Sequence, residues 1–198
     1  EKLDRRPSNK ELKRIAIHET GHAVVGEILS PGSVSTITIT SRGKALGYVR
    51  HNPEEDFYLQ TEEYLEEKIC ISIAGAVAEE VLLQNRSTGA AGDFEQTINF
   101  VKTMVTSGMT ELGVVNLDSV PQGVLHQEMT KILDKYEEKV KNIIHKNQQV
   151  IENIAKKLGV HNSTVSRALN NHPAVNEMTR KKIQAFARKH GYRPNYFA

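Results

Sequence analysis

Residues 15–28 read IAIHETGHAVVGEI, and this stretch decides the fold. Within it, His18 and His22 enclose Glu19 in an HExxH pattern. Residues four apart stack on one face of a helix, so the two imidazoles can bind one metal ion while the carboxylate of Glu19 lies beside them. A helix is indicated independently of the motif, because Ser8 begins an S-x-x-E capping box and apolar residues follow at helical spacing. The stretch therefore predicts a zinc site carried by a helix.

The alternative is a helix whose two histidines only lie on a polar face, because a five-residue motif can arise by chance. The surrounding residues weigh against this. In HETGHAVVGEIL, Gly21 precedes the second histidine and small or apolar residues follow it. This segment resembles the peptidase domain of the FtsH family, which are membrane-anchored, ATP-dependent zinc proteases. The resemblance implies a zinc metalloendopeptidase, with zinc as cofactor and Glu19 as the catalytic base that takes a proton from water.

A catalytic zinc site generally has three protein ligands and one water molecule, so the two histidines require a third donor. Asp93 follows the small-residue segment STGAAG and begins an amphipathic stretch. The resembled family has its aspartate ligand at this position, although it usually has asparagine where this chain has Gly92. The resemblance therefore implies that His18, His22 and Asp93 hold the metal. The alternative is that Asp93 only caps the helix that follows.

The segment after the first helix predicts a small β-sheet. Residues 34–40 alternate β-branched apolar and hydroxyl residues, and a turn leads to a second strand at 45–51. In the resembled family, the region corresponding to 42–47 supplies a sheet edge beside the active site, where an extended substrate adds as a strand. The alternative is a sheet that only covers the zinc helix.

The rest of the first 150 residues predicts helices, so the expected fold class is mainly α with a small β-sheet. Residues 61–84 predict a long helix that packs on the first, with Gly75 allowing close approach. Its acidic pair could face the metal, but we expect Glu80 to orient a histidine ligand or to have a structural role instead. One or two long amphipathic helices follow from residue 124. Cys70, the single cysteine, lies in an apolar run and predicts a buried thiol.

The last 48 residues differ from the rest in charge and pattern. Residues 1–150 contain 17 Lys and Arg against 22 Asp and Glu, whereas residues 151–198 contain 9 against 2, a net charge of +7. A basic segment of this kind suggests a polyanionic partner, although a solvated basic face is the alternative. Two short helices, 154–160 and 161–170, joined at Gly159, predict a helix-turn-helix arrangement.

This segment contains TVSRALN and YRPN and resembles the DNA-binding headpiece of LacI-type repressors, so a three-helix domain is expected. The resemblance implies double-stranded DNA as a partner. It also implies a set of residues that face base edges or approach phosphates, with Arg167 able to bind guanine through two hydrogen bonds. These residues are His161, Asn162, Ser163, Thr164, Ser166, Arg167, Asn170, Asn176 and Thr179.

The sequence thus predicts a peptidase domain at 1–150 and a DNA-binding domain at 151–198, with one helix shared at their junction. No run approaches the roughly 20 apolar residues that cross a bilayer, and no signal peptide is apparent, so a cytoplasmic location is expected. The 198 residues contain neither the ATPase module nor the anchor of the resembled family, so substrates are expected to arrive unfolded. A homo-oligomer is left open. The competing hypothesis is a DNA-binding transcriptional regulator whose peptidase-like part is an inactive scaffold.

Overall fold

The computed structural model describes residues 7–39, 47–51 and 59–169, with the backbone alone from 159 to 169. In these residues the mainly helical class predicted from the sequence is confirmed. The elements in chain order are α1 (Asn9–Leu29), β1 (Val34–Thr38), β2 (Tyr48–His51), α2 (Glu62–Leu83), α3 (Ala91–Thr106), α4 (Gln122–Lys146) and α5 (Gln148–Leu169). None of the described helices is both long and apolar enough to cross a membrane.

The start of α1 is fixed by the capping box that the sequence predicts. The Ser8 hydroxyl accepts a hydrogen bond from the Glu11 backbone N–H, and the Glu11 carboxylate accepts one from the Ser8 N–H at 2.7 Å. Two of the otherwise unpaired N–H groups at the helix start are therefore satisfied. The helix then runs for 21 residues, and its middle section, residues 16–26, is buried. This places both histidines of the motif inside the protein.

Small residues let α1 and α2 approach closely at the level of the motif. A Cβ atom placed on Gly21 would lie 2.6 Å from the Ala78 Cβ and 2.7 Å from the Ala74 carbonyl oxygen. Both distances are shorter than any ordinary contact, so only glycine fits at this crossing. The core continues around it through fully buried Val25 and Leu65.

Helix α4 covers the other side of α2 with a regular apolar stripe. Tyr136, Val140 and Ile144 recur every four residues and are almost fully buried. Cys70 is buried beneath this helix, as predicted, and burial raises the pKa of its thiol to about 11. An uncharged, inaccessible thiol has little reactivity, so Cys70 is a core residue.

The two described strands form an antiparallel pair, which confirms the small predicted sheet. Thr36 pairs with Arg50 and Thr38 with Tyr48, and the register is irregular between Val34 and Thr36. This irregularity interrupts the simple in-and-out alternation expected for the first strand. Among the described strands, β2 has no partner besides β1. Residues 42–46 of the predicted substrate edge lie outside the described part of the chain.

Helix α5 differs from the sequence prediction at one point. It continues through Gly159, where the sequence predicts a turn between two short helices. An internal glycine weakens a helix by about 1 kcal/mol but keeps its backbone N–H, so it does not by itself end the helix. The start of α5 also packs into the core, where Ile151 and Ala155 are buried. The division of the chain at residue 150 therefore remains a proposal.

Candidate metal centre

The two motif histidines lie on the face of α1 that packs on α2. His18 and His22 are each 8% exposed, and their Nε2 atoms are 3.0 Å apart. One helical turn separates them, so both rings extend in the same direction. The buried face of α1 therefore presents two imidazole nitrogens to one point.

Hydrogen bonds on the far side of each ring fix its orientation. His22 Nδ1 lies 2.7 Å from the carbonyl oxygen of Ile71. Because a carbonyl only accepts, His22 donates from Nδ1 and keeps a lone pair on Nε2. His18 Nδ1 lies 2.9 Å from Glu79 Oε1, a carboxylate that likewise accepts. Both Nε2 lone pairs consequently face the same small space.

Asp93 completes this space from the first turn of α3. Its Oδ2 atom lies 3.1 Å from His18 Nε2 and 3.6 Å from His22 Nε2. Ala90 occupies the capping position of α3, which has no side-chain capping bond. The Asp93 carboxylate thus faces the histidines rather than the backbone of its own helix. The structure brings together the three residues that the sequence singled out as ligands.

The spacing of these donors fits a tetrahedral metal ion. Zinc binds such ligands at about 2.0–2.2 Å, and tetrahedral geometry then separates any two of them by roughly 3.3 Å. The observed separations are 3.0, 3.1 and 3.6 Å. Two lone pairs that face each other at 3.0 Å repel, whereas a cation between them turns that repulsion into coordination. Within the described part of the chain, His18, His22 and Asp93 are the one group of three such side chains close enough to share an ion.

Gly75 on α2 leaves the space that the two rings occupy. A Cβ atom at this position would lie 2.5 Å from the Nε2 atoms of both His18 and His22. No side chain fits there without moving the rings. The sequence predicts Gly75 as a point of close packing, and the structure shows that the close neighbour is the donor pair itself.

The charges around the donors favour a cation. Burial lowers the pKa of His18, but hydrogen bonds to Asp93 and Glu79 and the charge of Glu19 outweigh it and raise that pKa to about 9. Burial raises the pKa of Asp93, but its hydrogen bonds to the two histidines outweigh this and hold that pKa far below its usual value. Three carboxylates thus surround the imidazoles, and the field that favours a proton on His18 also favours a metal ion.

Glu19 lies beside the donors at the end of the β-sheet. It is 8% exposed, and a Cβ atom on Gly47 would lie 2.7 Å from its Oε1 atom. Burial raises the pKa of Glu19 above its ordinary value, against the lowering effect of the two histidines. A carboxylate with a raised pKa is a better proton acceptor from water. Glu19, Gly47 and the metal-binding side chains line one open cleft of about 710 Å³, which β2 borders.

The acidic residue that contacts His18 is Glu79, whereas Glu80 has the structural alternative of the two roles expected for it. Glu79 is 1% exposed and also accepts hydrogen bonds from Arg14 at 2.5 Å and from the Ser87 hydroxyl at 3.0 Å. Glu80 lies on the surface, where it pairs with Arg86. Adjacent helical residues point about 100° apart, so only one of the pair can face inward. The spacing from Gly75 gives the signal that was missed, because Glu79 is four residues further along the same helix face.

The residues predicted to contact DNA are not placed in the same detail. The backbone of 161–167 belongs to α5, but no side chain beyond residue 158 is described. Asn170, Asn176 and Thr179 lie outside the described residues. The roles assigned to all nine therefore stay predictions.

Comparison with known proteins agrees with both parts of the sequence. Residues 5–125 match the model of peptidase family M41. The chain belongs to peptidase family M41. Its M41 segment contains the complete donor set, Glu19 and Gly75. Residues 150–195 match a second model, that of the bacterial regulatory proteins of the lacI family.

Curated M41 relatives carry the name ATP-dependent zinc metalloprotease FtsH. The FtsH 2 protein of Thermoanaerobacter sp. is 36% identical over 153 residues, covering 75% of this chain and 30% of that protein. The FtsH proteins of Bacillus subtilis and Streptococcus pneumoniae are each 34% identical, and each alignment covers 27% of the relative. The chain therefore spans less than a third of the length of these relatives.

Proposed function

We propose that this chain is a zinc-dependent endopeptidase that hydrolyses peptide bonds in unfolded protein segments. The observation that carries the proposal is the convergence of His18 Nε2, His22 Nε2 and Asp93 Oδ2 within 3.6 Å of one another, with the buried carboxylate of Glu19 lining the same cleft. Three protein donors and an open side are the arrangement of a hydrolytic zinc site, because a structural site has four.

In the proposed reaction, zinc bound by the three donors supplies Lewis acidity that activates water and polarises the peptide carbonyl. Glu19 accepts the proton of the attacking water and then delivers a proton to the leaving amine. Glu79 and the Ile71 carbonyl hold the imidazoles in the orientation that directs Nε2 into the cleft.

The position of β2 supports an extended peptide as substrate. β2 borders the cleft, and among the described strands it pairs with β1 alone. An extended segment can therefore add to it through backbone hydrogen bonds, which do not depend on sequence. A folded protein does not offer a free strand, so an unfolded segment is the expected substrate. Dependence on an ATPase remains a property of the longer relatives.

The Glu19→Gln variant tests the proposed base. Glutamine preserves the size of the side chain but cannot accept the proton, so zinc content should be retained while hydrolysis of casein falls at least 100-fold. Glu63→Gln, in the exposed first turn of α2, is the matched control and should leave both unchanged. Casein hydrolysis by Glu19→Gln at the wild-type rate would remove Glu19 as the base.

A second function is favoured by the match of residues 150–195 to the lacI family and by the net charge of +7 over residues 151–198. We propose that this segment binds double-stranded DNA through the nine residues named above. Affinity should then fall steeply with added salt, and Arg167→Ala should lose site preference. If purified protein contained no zinc yet bound duplex DNA, the alternative of a regulator with an inactive peptidase scaffold would be favoured.

A further inference from the structure

The first half of α5 carries an apolar stripe that contacts the peptidase core. The stripe consists of Ile151, Ile154, Ala155 and Leu158, spaced as one helix face. Ile151 is fully buried and Ala155 is 6% exposed, while the other two are partly buried against the core. The stripe thus packs against the core of the peptidase part, mainly on α1.

The stripe borders a groove that apolar side chains of α1 and α2 line in part. Ala155 borders a groove of about 520 Å³, together with Leu12 and Ile17 of α1 and Leu82 and Leu83 of α2. Removing α5 would expose these side chains to water. The peptidase core therefore gains stability from α5 through apolar burial.

The same stripe also lies inside the segment that matches the lacI family, which begins at residue 150. A domain of fewer than 50 residues is marginally stable, so it needs the apolar face of each of its helices for its own core. One face cannot be buried in two cores at once. Moreover, α5 continues as a single helix through Gly159, whereas a helix-turn-helix needs a turn between its first two helices.

We propose that the stripe of α5 completes either the core of the peptidase part or the lacI-type headpiece, and that DNA binding requires α5 to leave its position against α1. This rests on the DNA-binding function proposed above. Docking of α5 then lowers the measured DNA affinity. The measured dissociation constant equals the intrinsic one divided by the fraction of protein in which α5 is undocked. By linkage, bound DNA favours the undocked peptidase.

The test weakens the packing of the peptidase part around α5 without changing any residue of the lacI match. Leu12→Ala shortens a side chain of α1 that lines the same groove as Ala155, and Leu83→Ala does so from α2 in case the first variant does not fold. Leu29→Ala is the matched control, because Leu29 is also partly buried against the core but lies 17 residues further along α1. The probe is a labelled pool of duplexes with a randomised palindrome, enriched by selection with the full chain. Binding is followed by fluorescence anisotropy.

We expect Leu12→Ala or Leu83→Ala to bind the enriched pool roughly tenfold more tightly than the wild type, and Leu29→Ala to bind with wild-type affinity. Equal affinities for all folded variants would overturn the sharing of α5 while leaving DNA binding in place. No binding by any variant would overturn the DNA-binding function and this inference together. Tighter binding by Leu29→Ala as well would also overturn it, because general destabilisation would then explain the effect.

Discussion

The substitution Gly75→Ala should weaken metal binding while leaving the fold intact. The added Cβ would lie 2.5 Å from the Nε2 atoms of His18 and His22. An ordinary contact needs about 3.5 Å, so each ring has to retreat by roughly 1 Å. Metal–ligand distances tolerate only about 0.2 Å. The rings cannot retreat freely, because Glu79 and the Ile71 carbonyl hold their Nδ1 atoms.

The expected loss follows from this strain. Overpacking of a well-packed site costs about 1–3 kcal/mol, which corresponds to roughly 5- to 150-fold weaker zinc binding if the metal-bound state bears the cost. The helix itself should not suffer, because alanine favours a helix interior over glycine by about 1 kcal/mol. Zinc affinity is therefore expected to fall, whereas the stability of the helix is expected to be retained or to rise.

Zinc affinity is measured by competition with a chelating dye, and helix content by circular dichroism. The matched control is Gly92→Ala, also a glycine within a helix and next to Asp93, where an added Cβ has no neighbour within 4 Å. Zinc affinity of the control should equal that of the wild type. A Gly75→Ala protein that binds zinc within threefold of the wild type would refute the reasoning.

Two further predictions concern buried hydrogen bonds. Glu79→Gln should weaken zinc binding about 10- to 100-fold, because His18 loses the carboxylate that orients it, whereas Glu80→Gln at the surface should have no effect in the same dye titration. Tyr136→Phe removes a 2.6 Å hydrogen bond to Glu66 and should lower the free energy of unfolding in urea by about 1–3 kcal/mol at pH 7. Burial raises the pKa of Glu66, but the hydrogen bonds from Tyr136 and Lys135 and the charges of Lys135 and Lys139 together outweigh it and lower that pKa. The stability that the hydrogen bond from Tyr136 contributes is therefore present above the ordinary pKa and is lost as pH falls through the lowered one. The difference between Tyr136→Phe and wild type should therefore shrink as pH falls below the ordinary pKa of 4.5, and a constant difference would contradict the assignment.

The helices of the peptidase part could be predicted because their signals are local. The capping box at Ser8, the acidic start of α2 and the spacing of apolar residues each act within a few residues. The signal for the donor pair is equally local, because residues 18 and 22 share one face of a helix in any tertiary fold. Asp93 was reached by resemblance alone, because no local pattern connects it with residues 75 positions earlier.

The outer contacts of the site could not be read from the sequence. Choosing between Glu79 and Glu80 requires the rotation of α2 relative to α1, which close packing at Gly21 and Gly75 sets. The hydrogen bond from His22 to the Ile71 carbonyl uses a backbone atom, which no residue type reveals. Contacts of this kind depend on how two helices are placed, and a period within one helix carries no such information.

The sequence by itself indicated the family, the histidine pair and the residue proposed as base, because these depend on residue type and on spacing along one helix. The tertiary structure alone decided that Asp93 closes the donor set, that Glu79 orients His18 and that the apolar stripe of α5 is buried in the peptidase core. The physical reason is that coordination and burial are set by distances between separate elements, and those distances exist only once the helices have packed.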